Sequence, residues 1–251
     1  MITFNLYTAF ITLAMLAPII GSITLFSVLA FEHELDFLKN ENTRVQLEKE
    51  LQQSEYIQLN QQIQPHFLFN TMNLILGLAR LKKNDQLIEV LEQLSLFLKF
   101  KYQVKDQHIP FSQELDYTKH YLTIQQIRIG QRLSITYDMS EHEDFSVLIP
   151  PYMLQTLTEN AFKHSLEKKP GDVSLLVRFK TDETMAYLEV IDDGIGKIHE
   201  DFDIEDSSGQ GLKNIYNRLA LLFGDQFSLR LEQVPTGGVK AAVTWPILKN
   251  N

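Results

Sequence analysis

The sequence predicts an α+β protein: an N-terminal transmembrane helix, a helical hairpin, and a C-terminal α/β sandwich. Three observations carry this. Residues 1–31 contain no Asp, Glu, Lys or Arg. From residue 32 to Gly130 the apolar residues recur at helical spacing, and after Gly130 the period shortens to two, interrupted by two helical stretches. The 251 residues suffice for one or two domains, and 44% hydrophobic with 22% charged residues is ordinary for a folded chain. A net charge of -9 argues against nucleic acid as a direct partner. The absence of cysteine excludes disulfides, thiolate metal sites and cysteine nucleophiles.

A membrane helix needs about 20 mostly apolar residues to cross ~30 Å of hydrocarbon. Residues 1–31 satisfy this once and are too short to do so twice. A cleaved signal peptide fits poorly, because a basic leader is missing and the apolar run is long. The first basic residues, Lys39 and Arg44, follow the run, which puts the C-terminal side in the cytoplasm. The expectation is a single-pass cell-membrane protein.

Residues 32–62 lack proline and glycine, and a 4-3 spacing runs through Phe31, Leu35, Leu38, Asn42, Val45, Lys49, Gln52, Tyr56, Leu59 and Ile63. This is a heptad seam with polar core positions, read as a two-stranded coiled-coil linker, with a solvated helix as the alternative. Continued by three, it reaches His66. Pro65 should bend or break the helix. Residues 63–130 then form a helical domain: two amphipathic stretches turning near Lys82-Lys83-Asn84-Asp85, and a third helix from Phe111-Ser112 to Gly130, with Ser112 and Glu114 as its start signal.

Residues 131–251 form the α/β domain. Strands are expected at RLSITYDM, DVSLLVRFK, AYLEVID, FSLRLEQV and GVKAAVTWPI, and helices at PPYMLQTLTENAFKHSL and GLKNIYNRLALLFGD. In the first helix the prolines suit the opening turn, and in the second Gly224 suits the C-terminal cap.

Four local features bear chemistry. Glu159, Asn160, Lys163 and His164 fall within roughly 140° of one helix face, where an amide and a carboxylate can hold Mg²⁺. Asp192-Asp193-Gly194-Ile195-Gly196 follows a strand, so a carboxylate meets a backbone that a ligand can approach. Gly209-Gln210-Gly211-Leu212 opens a helix, whose free N–H groups favour phosphate. Thr236-Gly237-Gly238 precedes the last strand. Each alone is weak: a polar helix face or a turn explains it.

In this order the four resemble the N, G1, G2 and GT boxes of the GHKL (Bergerat) ATP-binding fold. Pro65-His66-Phe67-Leu68-Phe69-Asn70 resembles the phosphoacceptor motif of LytS/YesM-type sensor histidine kinases, and the resemblance covers roughly residues 58–248. It implies that His66 is the phosphorylated residue, in a helical dimerisation and phosphoacceptor hairpin. Asn160 would bind Mg²⁺, with Glu159 beside it as a further catalytic or metal residue, and Lys163 and His164 would lie near the phosphates. Asp192 would accept from the adenine amine, Gly194 and Gly196 would shape that pocket, and Gly209, Gly211 and Leu212 would flank the triphosphate. Residues 197–208 would form a lid, and Thr236 and Gly238 would finish the pocket.

The implied activity is that of an ATP-dependent protein-histidine kinase, with ATP and Mg²⁺ as cofactors. The implied partners are a second copy of the chain and a cytoplasmic response regulator of LytTR or AraC type. Imidazole is partly neutral at cytoplasmic pH and so nucleophilic. Phe67 stands where many histidine kinases carry an acid, so no adjacent base is evident. Asn70, one turn on, could orient a water for phosphatase activity. Two rivals stand beside this reading: a degenerate kinase serving as a membrane scaffold, and a GHKL ATPase that leaves histidine untouched. Relatives commonly carry several spans or a larger sensor; this chain offers one span, so either it senses within the membrane, a membrane partner protein supplies the signal, or the chain is shortened. His33, His108, His120, His142 and His199 have no motif around them.

Overall fold

A computed structural model describes residues 11, 16, 21, 26–27, 31–47, 65–103, 106–140, 142–198, 210–235 and 237–247. The chain divides into two compact units, Met1–Tyr56 and Ile57–Asn251. In the first, α1 covers 31–47, with every described side chain exposed. Among the described residues no helix is long and apolar enough to cross a membrane. The expected span at 1–31 falls almost wholly outside the described residues, as does the second half of the expected coiled coil.

The second unit opens with three helices. They are α2 (Pro65–Arg80), α3 (Asn84–Gln103) and α4 (Phe111–Ile129). Lys82, at φ 56°, makes the turn of the α2–α3 hairpin. Aromatic rings fasten the three together: Phe67 lies 5.1 Å from Phe97 and 5.0 Å from Tyr121, and Phe97 stacks on Tyr117 at 4.9 Å. Burying a side chain of this size contributes about 2 kcal/mol. Gly130, at φ 75°, closes α4 with its N–H on the Gln126 carbonyl, as expected.

A five-stranded sheet follows, ordered β2-β4-β5-β7-β6. Its strands are β2 (Leu133–Asp138), β4 (Val173–Thr181), β5 (Met185–Asp192), β6 (Ser228–Gln233) and β7 (Val239–Pro246). The β2–β4 pair is parallel and the others are antiparallel. All five expected strands are present. A two-residue pair, β1 (Ile109–Pro110) with β3 (Leu148–Ile149), was not expected from the sequence and ties the approach to α4 to the segment before Pro150.

Helices α5 (Met153–His164) and α6 (Gln210–Phe223) supply the layer over the sheet. Alternation puts Ala186, Leu188 and Val190 of β5 and Ala241, Val243 and Trp245 of β7 in the core. The buried apolar residues of hairpin and sheet form one cluster, from Phe67 to Trp245.

Two helix starts differ from expectation. Pro150 and Pro151 do not occupy the first turn of α5. Tyr152 intervenes in the left-handed conformation, at φ 67°, and the helix begins at Met153. Glu114 does not serve its own helix. Its buried carboxylate accepts from the Tyr152 N–H at 2.8 Å and the Gln155 N–H at 3.2 Å, capping α5 from α4. Gly224, at φ 57°, ends α6 as expected, its N–H on the Ala220 carbonyl.

Candidate functional site

The period-two alternation of β5 continues one step past Val190 and puts Asp192 on the buried face, 4% exposed. A carboxylate there is costly unless donors converge on it. They do: the Gly194 N–H donates to Oδ1 at 2.9 Å, and the Ser165 hydroxyl donates to the same oxygen. Burial pushes the Asp192 carboxyl up from its ordinary value; the donors from Ser165, Gly194 and Val239 pull the other way.

Three glycines pack so closely around this carboxylate that none has room for a Cβ. A Cβ on Gly238, which sits at φ 84°, would stand 2.0 Å from the Asp192 carbonyl oxygen. One on Gly194 would meet the Ser165 hydroxyl at 2.2 Å, and one on Gly196 would meet it at 2.9 Å. The Gln233 side chain ties these loops, its amide donating to the carbonyls of Gly238 at 2.6 Å and Gly196 at 3.1 Å.

Asn160 lies on the next turn of the wall. Its Nδ2 is buried without a protein hydrogen-bond partner. The start of α6 closes on it: a Cβ on Gly211 would stand 3.6 Å from both amide atoms of Asn160 and 3.0 Å from Thr156. The uncommitted Nδ2 is a donor and suits a phosphate oxygen at the helix N-terminus, while Oδ1 of the same side chain is the atom that could join the oxygen shell of a phosphate-bound Mg²⁺. Among the described residues no group of three or more His, Asp or Glu could hold a metal by itself. A single amide oxygen beside a helix N-terminus fits a cation that arrives with a nucleotide's phosphates.

Glu159 faces elsewhere. It is 7% exposed, accepts from the Gln155 amide at 2.5 Å, and is raised by burial, with Lys101 of α3 among the charges acting on it. Lys163 and His164 are exposed on the last turn of α5. Burial, followed by the charges of Lys163 and Lys168, lowers the His164 imidazole below its ordinary range. Leu212 packs against the core. Gly209, Thr236 and residues 199–208 lie outside the described residues, and with them most of the expected lid.

His66 is exposed on the first turn of α2, while Phe67 beside it is buried. The aromatic anchor therefore fixes the helix and leaves the imidazole free to meet solvent. Asn70 Nδ2 lies 3.3 Å from both ring nitrogens of His66. His120, by contrast, is half-buried with Nδ1 2.6 Å from the Gln93 amide oxygen, a packing role.

A family model described as histidine kinase matches residues 54–133. The sensor histidine kinase YesM of Bacillus subtilis (strain 168) is 32% identical over 209 residues, 82% of this chain and 36% of that protein. The chain belongs to the LytS/YesM-type sensor histidine kinases. The sensor histidine kinase/phosphatase LytS of Staphylococcus aureus (strain MRSA252) is 34% identical over 200 residues, 75% of this chain and 34% of that protein. The chain thus spans about a third of the length of these relatives. Among solved structures, the histidine kinase domain from the Erythrobacter litoralis EL346 blue-light activated histidine kinase covers 78% of this chain at 16% identity and a TM-score of 0.44, a distant likeness.

Several site residues have no signal in the sequence motifs. Ser165 directly follows the Glu159–His164 run, and could have been found by asking what reaches Asp192. Gln233 and Glu114 act across 37 and 38 residues of sequence, respectively, and only the folded chain reveals them.

Proposed function

We propose that this chain is a membrane-anchored sensor kinase of a two-component system, which phosphorylates His66 from ATP and passes the phosphoryl group to an aspartate of a response regulator. The observations that support this reading are the close approach of Gly211 to Asn160 and the cage of Ser165 and three glycines around Asp192, in the same compact unit as an exposed His66. Asp192 would accept from the exocyclic amine of adenine. The α6 N-terminus and Asn160 would face the phosphates, and Mg²⁺ bound there would neutralise charge on them. A neutral imidazole nitrogen of His66 would form the N–P bond as the Pγ–O bond to ADP breaks.

The domain division that goes with this reading is a span at 1–31, a coiled-coil linker at 32–62, the dimerisation and phosphoacceptor helices at 63–130, and the ATP-binding domain at 131–251. Membrane anchoring rests on the uncharged first 31 residues. Dimerisation rests on apolar side chains left in solvent: Phe31, Leu35, Leu38 and Val45 along α1, and Phe69, Met72 and Leu76 at spacings of three and four on α2.

The test is the full chain in detergent with [γ-³²P]ATP and Mg²⁺, beside His66→Gln. Acid-labile, alkali-stable label in the parent and none in the variant is the expected outcome. Label in neither, despite ATP binding, would favour a scaffold or a plain ATPase. Label in both would point to another histidine. Asn70, whose Nδ2 lies 3.3 Å from the His66 ring nitrogens, would orient a water for dephosphorylation. Asn70→Ala should slow loss of phosphate from the phosphorylated regulator several-fold; an unchanged rate would remove that role.

A further inference from the structure

Ser165 stands where the C-terminus of α5 meets the Asp192 loop. It is 1% exposed, and its backbone N–H is spent on the Ala161 carbonyl at 3.1 Å. Its hydroxyl has two polar neighbours of opposite kind: the Gly196 N–H, which donates to Oγ at 2.9 Å, and Asp192 Oδ1. An N–H can only donate, so the hydroxyl proton is committed to the carboxylate. Oδ1 then receives two donors, Ser165 and Gly194. The torsion of the carboxyl group is thereby set, with the Val239 N–H as a further donor to the carboxylate, and a ligand amine would use the lone-pair capacity that remains. The glycines enforce the arrangement, because any side chain at 194 or 196 would displace Ser165.

Resting on the ATP reading above, we propose that Ser165 is a positioning residue for base recognition: its hydroxyl, held between the Gly196 N–H and Asp192, aims the carboxylate at the exocyclic amine of the purine. The same bond couples the helix bearing Asn160 to the strand end bearing Asp192. Base and phosphate contacts are thus linked through α5 and the residue that follows it, Asn160 and Ser165, five apart in sequence.

The experiment compares ATP with purine riboside triphosphate, which lacks the amine, as ligands in the presence of Mg²⁺. Dissociation constants are measured by titration calorimetry on the full chain in detergent, for the parent, Ser165→Ala and Ser165→Cys. The thiol is a near-isostere with a weak donor, and so guards against a packing loss in the alanine variant. The parent should prefer ATP. Each variant should lose about tenfold in affinity for ATP and less than twofold for the analogue, the loss of one hydrogen bond to a charged group. Equal losses for both ligands would make Ser165 merely structural and overturn the proposal. Unchanged ATP affinity in both variants would overturn it too. No ATP binding by the parent would sink the kinase reading itself, and the base role with it.

Discussion

Gly238 and Gly171 have nearly the same φ, 84° and 82°, and entirely different surroundings. A Cβ at Gly171 meets nothing within 4 Å, whereas one at Gly238 would run into the Asp192 carbonyl at 2.0 Å. Gly171→Ala should therefore cost only the left-handed strain, about 1 kcal/mol, and leave ATP affinity unchanged. Gly238→Ala should displace the Asp192 strand end and weaken ATP binding more than tenfold. Paired denaturation and calorimetry on the two variants check this. Gly238 was legible in the sequence as part of a motif; that it abuts the carbonyl of the very aspartate it serves was not, because the two are 46 positions apart.

At the scale of the element, α5 is held from outside itself. Left-handed Tyr152 offers no side-chain cap, and the Glu114 carboxylate of α4 takes its place. Burial, against the donors of Tyr152 and Gln155 and the Arg218 charge, raises this carboxyl from 4.5 to about 7. The sign follows from linkage. A raised folded-state value means that the native state holds the proton more tightly than the unfolded chain does. The stabilising contribution is complete below about pH 4.5 and is lost as pH rises through about 7. That difference amounts to about 3 kcal/mol. Urea denaturation of the parent should show a component of stability falling between pH 5 and 7.5. In Glu114→Gln this component should be absent; an unchanged pH slope would assign it to another group.

The hairpin shows a similar division. Its helical period was readable in the sequence; that Phe67 anchors it was not. The Phe97, Tyr117 and Tyr121 rings that receive Phe67 come from two other helices.

At the scale of the whole molecule, the α2 face bearing Phe69, Met72 and Leu76 is 47–70% exposed, more than an isolated chain would leave in water. A second copy of the chain is the partner this reading supplies. Leu76→Glu, which adds a charge to that face, should shift the detergent-solubilised protein from dimer towards monomer by light scattering. Label at His66 should fall with dimer content if the kinase acts across the pair. An unchanged mass would show that this face does not hold the dimer together.

What the sequence determined by itself was local: the period of each helix and strand, the glycines that end α4 and α6, the exposed apolar seams, and the family motif around His66. These depend on residues a few positions apart, whose preferences the chain carries wherever it goes. What the tertiary structure decided was non-local. Glu114 turns from its own helix to cap α5, Ser165 gives its proton to Asp192, and Glu159 turns to Gln155 rather than standing free beside Asn160. The physical reason is the cost of burying a polar group unpaired. Which partner relieves that cost depends on which distant residue the fold brings within hydrogen-bond reach.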